Sequence, residues 1–322
     1  MNPRSIFPAR TARWAFPART ARWAPHVPPA VVRLGVRQLG KRCLNPALPW
    51  PVQRARLEQL TRTQRLPSGT AVAEQAIGGV PAEVVSPGGP DPGLTVIHFH
   101  GGGYCVGSAS TAREWAAHLS ARTGCRVVLP QYRLAPEHPH PAALEDARAV
   151  LKALSGQDQP GPVLVSGDSA GGGLALALTL ALRDEGQELP AGCILLSPWL
   201  DLGRDRRAAP DLVHRDVLLS PEWLEACARA YAAPSAWADA SVSPLRAAHS
   251  GLPPLLIKAA TDELLAPDAE LLAASASAAG VDVTYTRWPR LWHDFMLQPS
   301  LLAAADSALA QAAWFVGQVT AG

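Results

Sequence analysis

The stretch VLVSGDSAGGGLALAL, residues 163–178, constrains the fold more than any other part of this chain. An apolar, strand-like run leads directly into Gly167-Asp168-Ser169-Ala170-Gly171, and an Ala/Leu-rich helical pattern follows at once. A strand that turns straight into a helix leaves no room for side chains two positions either side of the turning residue, so glycine is required there. The turn lifts the Ser169 hydroxyl above the strand end, at a helix N-terminus. Open sheets of parallel strands carry their reactive groups at that carboxyl edge.

The rest of the chain agrees with such a sheet. Short, continuously apolar runs occur at 94–100, 125–132, 161–167, 192–197, 253–259 and 281–288. Helical patterns lie between and after them, at 109–122, 141–155, 170–184, 267–279 and 300–318. Buried strands alternating with helices predict an α/β fold with a mostly parallel sheet covered on both faces. Residues 203–248, rich in charge, Trp and Pro, break the rhythm and read as an insertion above the sheet. Residues 27–66 predict two short helices, since VVRLGVRQL and VQRARLEQL space their apolar residues at three and four.

The nonapeptide FPARTARWA occurs twice in tandem, at 7–15 and 16–24. Two copies are too few for a solenoid, and a proline in each interrupts any helix. Residues 1–26 are therefore expected to be a disordered basic extension that arose by duplication. The functional alternative is a Trp-bearing arm for a membrane surface or an anionic partner.

Charge is segregated. No Asp or Glu precedes Glu58, whereas eleven Lys or Arg do. The main body is mildly acidic and carries no nucleic-acid footprint. No apolar run reaches the ~18–20 residues of a membrane span. Five cysteines, with no CxxC, form neither a disulfide framework nor a zinc site. With no apolar core of a secretory signal at the N-terminus, the expected compartment is the cytoplasm.

A serine hydroxyl needs a base. Of the three histidines after Ser169, His214 and His249 lie in or beside the insertion, and His293 directly follows the run 281–288. His293 is the expected base. The acid should follow the run 253–259. Asp262 comes first off it and is the choice, with Glu263 and Asp268 as competitors. Attack on a carbonyl builds negative charge on oxygen, which preorganised N–H groups must meet. Ala170 supplies one. The loop of HGGGY, with Gly101, Gly102 and Gly103, supplies others at close range because it lacks Cβ atoms. His100 is expected to brace that loop. His98 and His100 also form a His-x-His, but no third ligand follows at a recognisable spacing, so no metal is expected. His138 and His140 read the same way.

Together HGGGY (100–104), YRLAPEHPHPAALEDA (132–147), GDSAGG (167–172), SPWLDL (197–202), SPLRA with GLPPLLI (243–257) and the WHDF histidine resemble, in order, the hormone-sensitive-lipase-like esterases of the α/β-hydrolase superfamily, the GDSAG group in particular. The likeness runs from about residue 47 to 318 and implies a triad of Ser169, Asp262 and His293. It also implies an oxyanion hole from Gly102, Gly103 and Ala170, and a helical cap made of residues 27–70 and the insertion over a catalytic domain at 71–322. The implied activity is hydrolysis of short- to medium-chain acyl esters, without a cofactor. Lactones or acetylated sugars and natural products are alternative small-molecule substrates. Two departures stand out. TDELL replaces the usual D-P-L at the acid, and Asp294 follows His293. Tyr104, Asp168, Trp223 and Trp237 are candidates for the substrate pocket. A catalytically silent ligand receptor on this scaffold is the competing reading, and the presence of His293 argues against it. An exposed last strand or helix offers a surface for a homodimer.

Overall fold

The structure, a computed structural model, describes residues 26–88, 93–155 and 161–320. The tandem nonapeptides, and with them the reading of an extended basic arm, lie outside those residues.

Eight strands form one sheet: β1 (Ala71–Ile77), β2 (Val80–Ser86), β3 (Thr95–Phe99), β4 (Arg126–Pro130), β5 (Val163–Asp168), β6 (Cys193–Leu196), β7 (Leu255–Ala260) and β8 (Val283–Trp288). Their spatial order is β1-β2-β4-β3-β5-β6-β7-β8. β1 and β2 join antiparallel, and β3 through β8 run parallel. The six parallel strands match the six apolar runs. β3, β5, β6 and β7 are buried along their whole length, as parallel strands covered on both faces must be.

The β1–β2 hairpin was not foreseen, because Ala71–Ala76 are all exposed and the sequence AVAEQA shows no regular alternation of apolar and polar residues. Its turn was legible nonetheless. Gly78 and Gly79 both hold positive φ, 59° and 82°, as a two-residue hairpin turn demands.

One face of the sheet packs on α4 (Ala142–Leu154), α5 (Ser169–Asp184) and α8 (Ala266–Ala278), the other on α3 (Ala109–Thr123) and α9 (Ala303–Thr320). Two further helices, α1 (Pro29–Cys43) and α2 (Trp50–Thr61), precede the sheet. α2 is clamped near the glycine loop through Arg54, which donates to the carbonyls of Cys105 and Ala135 and forks onto Glu137. Within 203–248 lie α6 (Pro210–Arg215) and α7 (Pro221–Tyr231). α7 buries Trp223, Leu224, Cys227, Ala228 and Tyr231, a single helical face. A buried cluster fastens this segment to the body. Asp268 receives two hydrogen bonds from Arg206 and the backbone N–H groups of Leu200 and Asp201.

Lys258 on β7 is fully buried on the α9 face, where its ammonium meets Gln311 Oε1 and, among the described residues, no carboxylate. Burial pushes its pKa down from 10.5 to about 7. The unfolded chain therefore binds an extra proton between those two values, so folding stability rises with pH across that window. Below about pH 7 the penalty is fully present. Lys258→Met is expected to stabilise the fold by about 4 kcal/mol near neutrality and by little near pH 10. Denaturant melts of both proteins at the two pH values check this.

Candidate active site

The glycine loop, Ser169, Glu263 and His293 follow the carboxyl ends of β3, β5, β7 and β8. The elbow is built as its glycines require. A Cβ on Gly167 would lie 2.2 Å from the Gly171 carbonyl oxygen, and one on Gly171 would lie 1.9 Å from that of Phe99. Ser169 itself holds φ 52°, a left-handed conformation that costs a non-glycine residue roughly 1–2 kcal/mol. Its carbonyl is tied down by the N–H of Trp199 at 2.8 Å. Ala170 is the second residue of α5, where a backbone N–H has no partner within the helix.

The glycine loop lies beside the serine. A Cβ on Gly101 would sit 3.0 Å from Ser169 Cβ. Gly102 and Gly103 hold φ 112° and 62°, and among the described residues their N–H groups meet no acceptor. Gly101 differs and corrects the expectation for it: its N–H donates to Asp168 Oδ2 at 2.9 Å and is not free for a substrate oxygen. Asp168 is corrected in turn. It is buried, with its other oxygen 2.9 Å from His98 Nε2, so it buttresses the loop from the elbow strand and does not wall a pocket. His98 Nδ1 meets Ser166 Oγ at 2.9 Å, so protein groups engage both of its ring nitrogens.

His100 stands under the loop. Its Nδ1 lies 2.8 Å from the Gly101 carbonyl oxygen, and its ring stacks on Tyr132, whose hydroxyl donates to the His100 carbonyl. Burial pushes its pKa down to about 4, so it is neutral. Tyr132 was missed as a support, because nothing in its sequence neighbourhood marks its hydroxyl for this loop.

The expectation of Asp262 as the partner of His293 is corrected by the geometry. Glu263 Oε2 lies 2.9 Å from His293 Nδ1, and Glu263 Oε1 accepts the Ala260 N–H at 2.8 Å. The longer side chain folds back over the end of β7 and is completely buried. Asp262 turns the other way. Arg33 of α1 reaches it at 3.1 Å and Arg215 of α6 at 3.6 Å, so it pins both helical segments to the strand end. Asp268 is held by Arg206, as described above. Asp216, also unforeseen, accepts the N–H groups of Leu218, Leu219 and Leu264 and so braces the residue after Glu263.

Of the pocket candidates, Tyr104 is buried at φ 63° with its ring stacked 3.8 Å from Tyr231. Trp223 donates its indole N–H to Gln53 of α2, and its ring tip lies 3.0 Å from where a Cβ on Gly103 would be. It therefore roofs the glycine loop. Trp237 is further off. It lines a cleft of about 220 Å³ with Trp199 and Leu224, and neither Ser169 nor His293 lines that cleft.

A buried histidine on a carboxylate, at the same sheet edge as a serine on a strained strand–helix turn and a loop in which two glycine N–H groups meet no acceptor among the described residues, is the arrangement of serine hydrolases built on an α/β sheet. A family of alpha/beta hydrolase fold matches residues 96–297. An acetyl-hydrolase of Streptomyces hygroscopicus is 37% identical over 79% of this chain and 84% of its own length. An esterase of Acinetobacter venetianus is 36% identical over 68% of this chain and 73% of its own. A crystal structure of an esterase from the bacterial hormone-sensitive lipase family superposes with a TM-score of 0.84 at 31% identity, covering 91% of this chain and all of that one. The chain belongs to the α/β hydrolases and, among them, to the hormone-sensitive-lipase-like esterases. It is a carboxylic ester hydrolase.

Proposed function

We propose that this enzyme cleaves short-chain acyl esters, acetyl esters foremost, through an acyl-enzyme on Ser169. The observation that carries the reading is the Glu263–His293 bond at the strand edge that also bears Ser169. Glu263 orients the imidazole and stabilises its charged form. His293 takes the Ser169 proton as Oγ attacks the carbonyl carbon, and returns it to the leaving alcohol. The N–H groups of Gly102, Gly103 and Ala170 receive the oxyanion. Water, deprotonated by His293, then releases the acid. Asp262 has no part in proton transfer in this scheme, and the helical segments it pins form a cap.

The short acyl preference has two supports. The Streptomyces relative is named for acetyl hydrolysis. Trp223 and Cys227 of α7 also press on Gly103: a Cβ there would lie 3.0 Å from the Trp223 ring and 2.6 Å from Cys227 Sγ. A series of p-nitrophenyl esters tests the reading. kcat/KM is expected to peak between acetate and butyrate and to fall at least ~10-fold by decanoate, since each misfitted methylene costs about 1 kcal/mol or more. A rate that climbs steadily to palmitate contradicts it.

A further inference from the structure

His293 lies between two carboxylates. Glu263 faces Nδ1, and Asp294 Oδ2 stands 3.0 Å from Nε2, the nitrogen a serine must use. Among the described residues no hydrogen bond joins Ser169 Oγ to His293. Asp294 is held there by its backbone. It occupies the left-handed region at φ 56°, and its N–H donates to Ser197 Oγ at 3.3 Å. Its other carboxylate oxygen, Oδ1, is buried and has no partner among the described residues.

We infer that Asp294 competes with Ser169 for Nε2 of His293, so that the resting enzyme stores one proton between Asp294 and His293 and becomes active only when that proton leaves. The inference rests on the proposed roles of Ser169 and His293. A carboxylate 3.0 Å from Nε2 is attractive only while a proton lies between them. With it in place, Nε2 has no lone pair for the Ser169 proton. Once solvent has taken it, the carboxylate faces a bare lone pair and the contact no longer holds. Asp294 then turns aside, and Nε2 accepts from Ser169 Oγ. The unpartnered Oδ1 favours that departure, because a buried oxygen without a donor is costly.

The surrounding charges point the same way. Glu263 on the post-β7 loop, Asp168 at the end of β5, and Asp216 between α6 and α7 all act on this pair. Burial alone disfavours the charged imidazole, but Asp294 and Glu263 together outweigh it and raise the His293 pKa well above 6.5. Burial pushes Asp294 up to about 7, against the pull of His293. Asp294 is a positioning residue in this account: it acts on the base and not on the substrate.

Asp294→Asn and Asp294→Gly test it. Both residue types tolerate φ 56°, so the loop is kept. In kcat/KM against pH, the acid limb of both variants is expected to fall by about one unit or more. At about pH 6 the variants then retain up to ~10-fold more of their plateau rate than the wild type does. His293→Ala is the control for the underlying reading. If His293→Ala keeps substantial activity, the assignment of the base fails. If His293→Ala is inactive and both Asp294 variants keep the wild-type acid limb, the competition by Asp294 is wrong. Loss of rate across the whole pH range in both folded Asp294 variants likewise overturns it.

Discussion

Ser169→Ala is expected to lower kcat/KM for p-nitrophenyl butyrate by at least ~10⁴-fold, because removing the nucleophile leaves only the binding and oxyanion terms. Folding should be almost unaffected. Both residues carry a Cβ at φ 52°, so the strain at the elbow is unchanged, and among the described residues Ser169 Oγ makes no hydrogen bond that Ala would break. Thermal melting within a few degrees of wild type, alongside the lost rate, separates a chemical defect from a structural one.

The second large effect is a contrast between adjacent carboxylates. Glu263→Gln keeps the size of the side chain and an oxygen for the Ala260 N–H, but turns an amide towards His293 Nδ1. The imidazole is then driven to the tautomer that protonates Nε2, which cannot take the serine proton. A loss of ~10³–10⁴-fold in kcat is expected, as when the orienting acid of a triad becomes an amide. Asp262→Asn breaks the ion pairs with Arg33 and Arg215, whose side chains are 28% and 48% exposed. Such pairs contribute roughly 0–1 kcal/mol, so kcat should stay within about tenfold of wild type. Steady-state kinetics of the two variants side by side decide which carboxylate serves His293.

That contrast also marks how far the sequence could be read. The parallel sheet, the elbow and the placement of His293 against a carboxylate were legible because each rests on a local pattern: an apolar run, a glycine spacing, a position just past a strand. The identity of the carboxylate that meets His293 was not, because Asp262 and Glu263 leave the same strand one residue apart. Only the fold-back of the longer side chain onto Ala260 distinguishes them. Gly101 looked like its two neighbours for the same reason. Its N–H is committed by Asp168, 67 residues away in the chain. The β1 edge strand left no regular apolar alternation, and Asp294 was visible only as a departure from the family pattern. The first is set by pairing across a two-residue turn and the second by a left-handed backbone and a bond to Ser197, and apolar spacing records neither.

The central claim is that Ser169 becomes covalently attached to the acyl group. It is tested most directly by the mass of the protein after incubation with diethyl p-nitrophenyl phosphate, a reagent that phosphorylates an activated serine. The account predicts one diethylphosphoryl group per chain, on the peptide carrying Ser169, with activity lost in proportion and no labelling of Ser169→Ala. Complete inactivation with the label on another residue, or labelling of Ser169→Ala to the same extent, would contradict it.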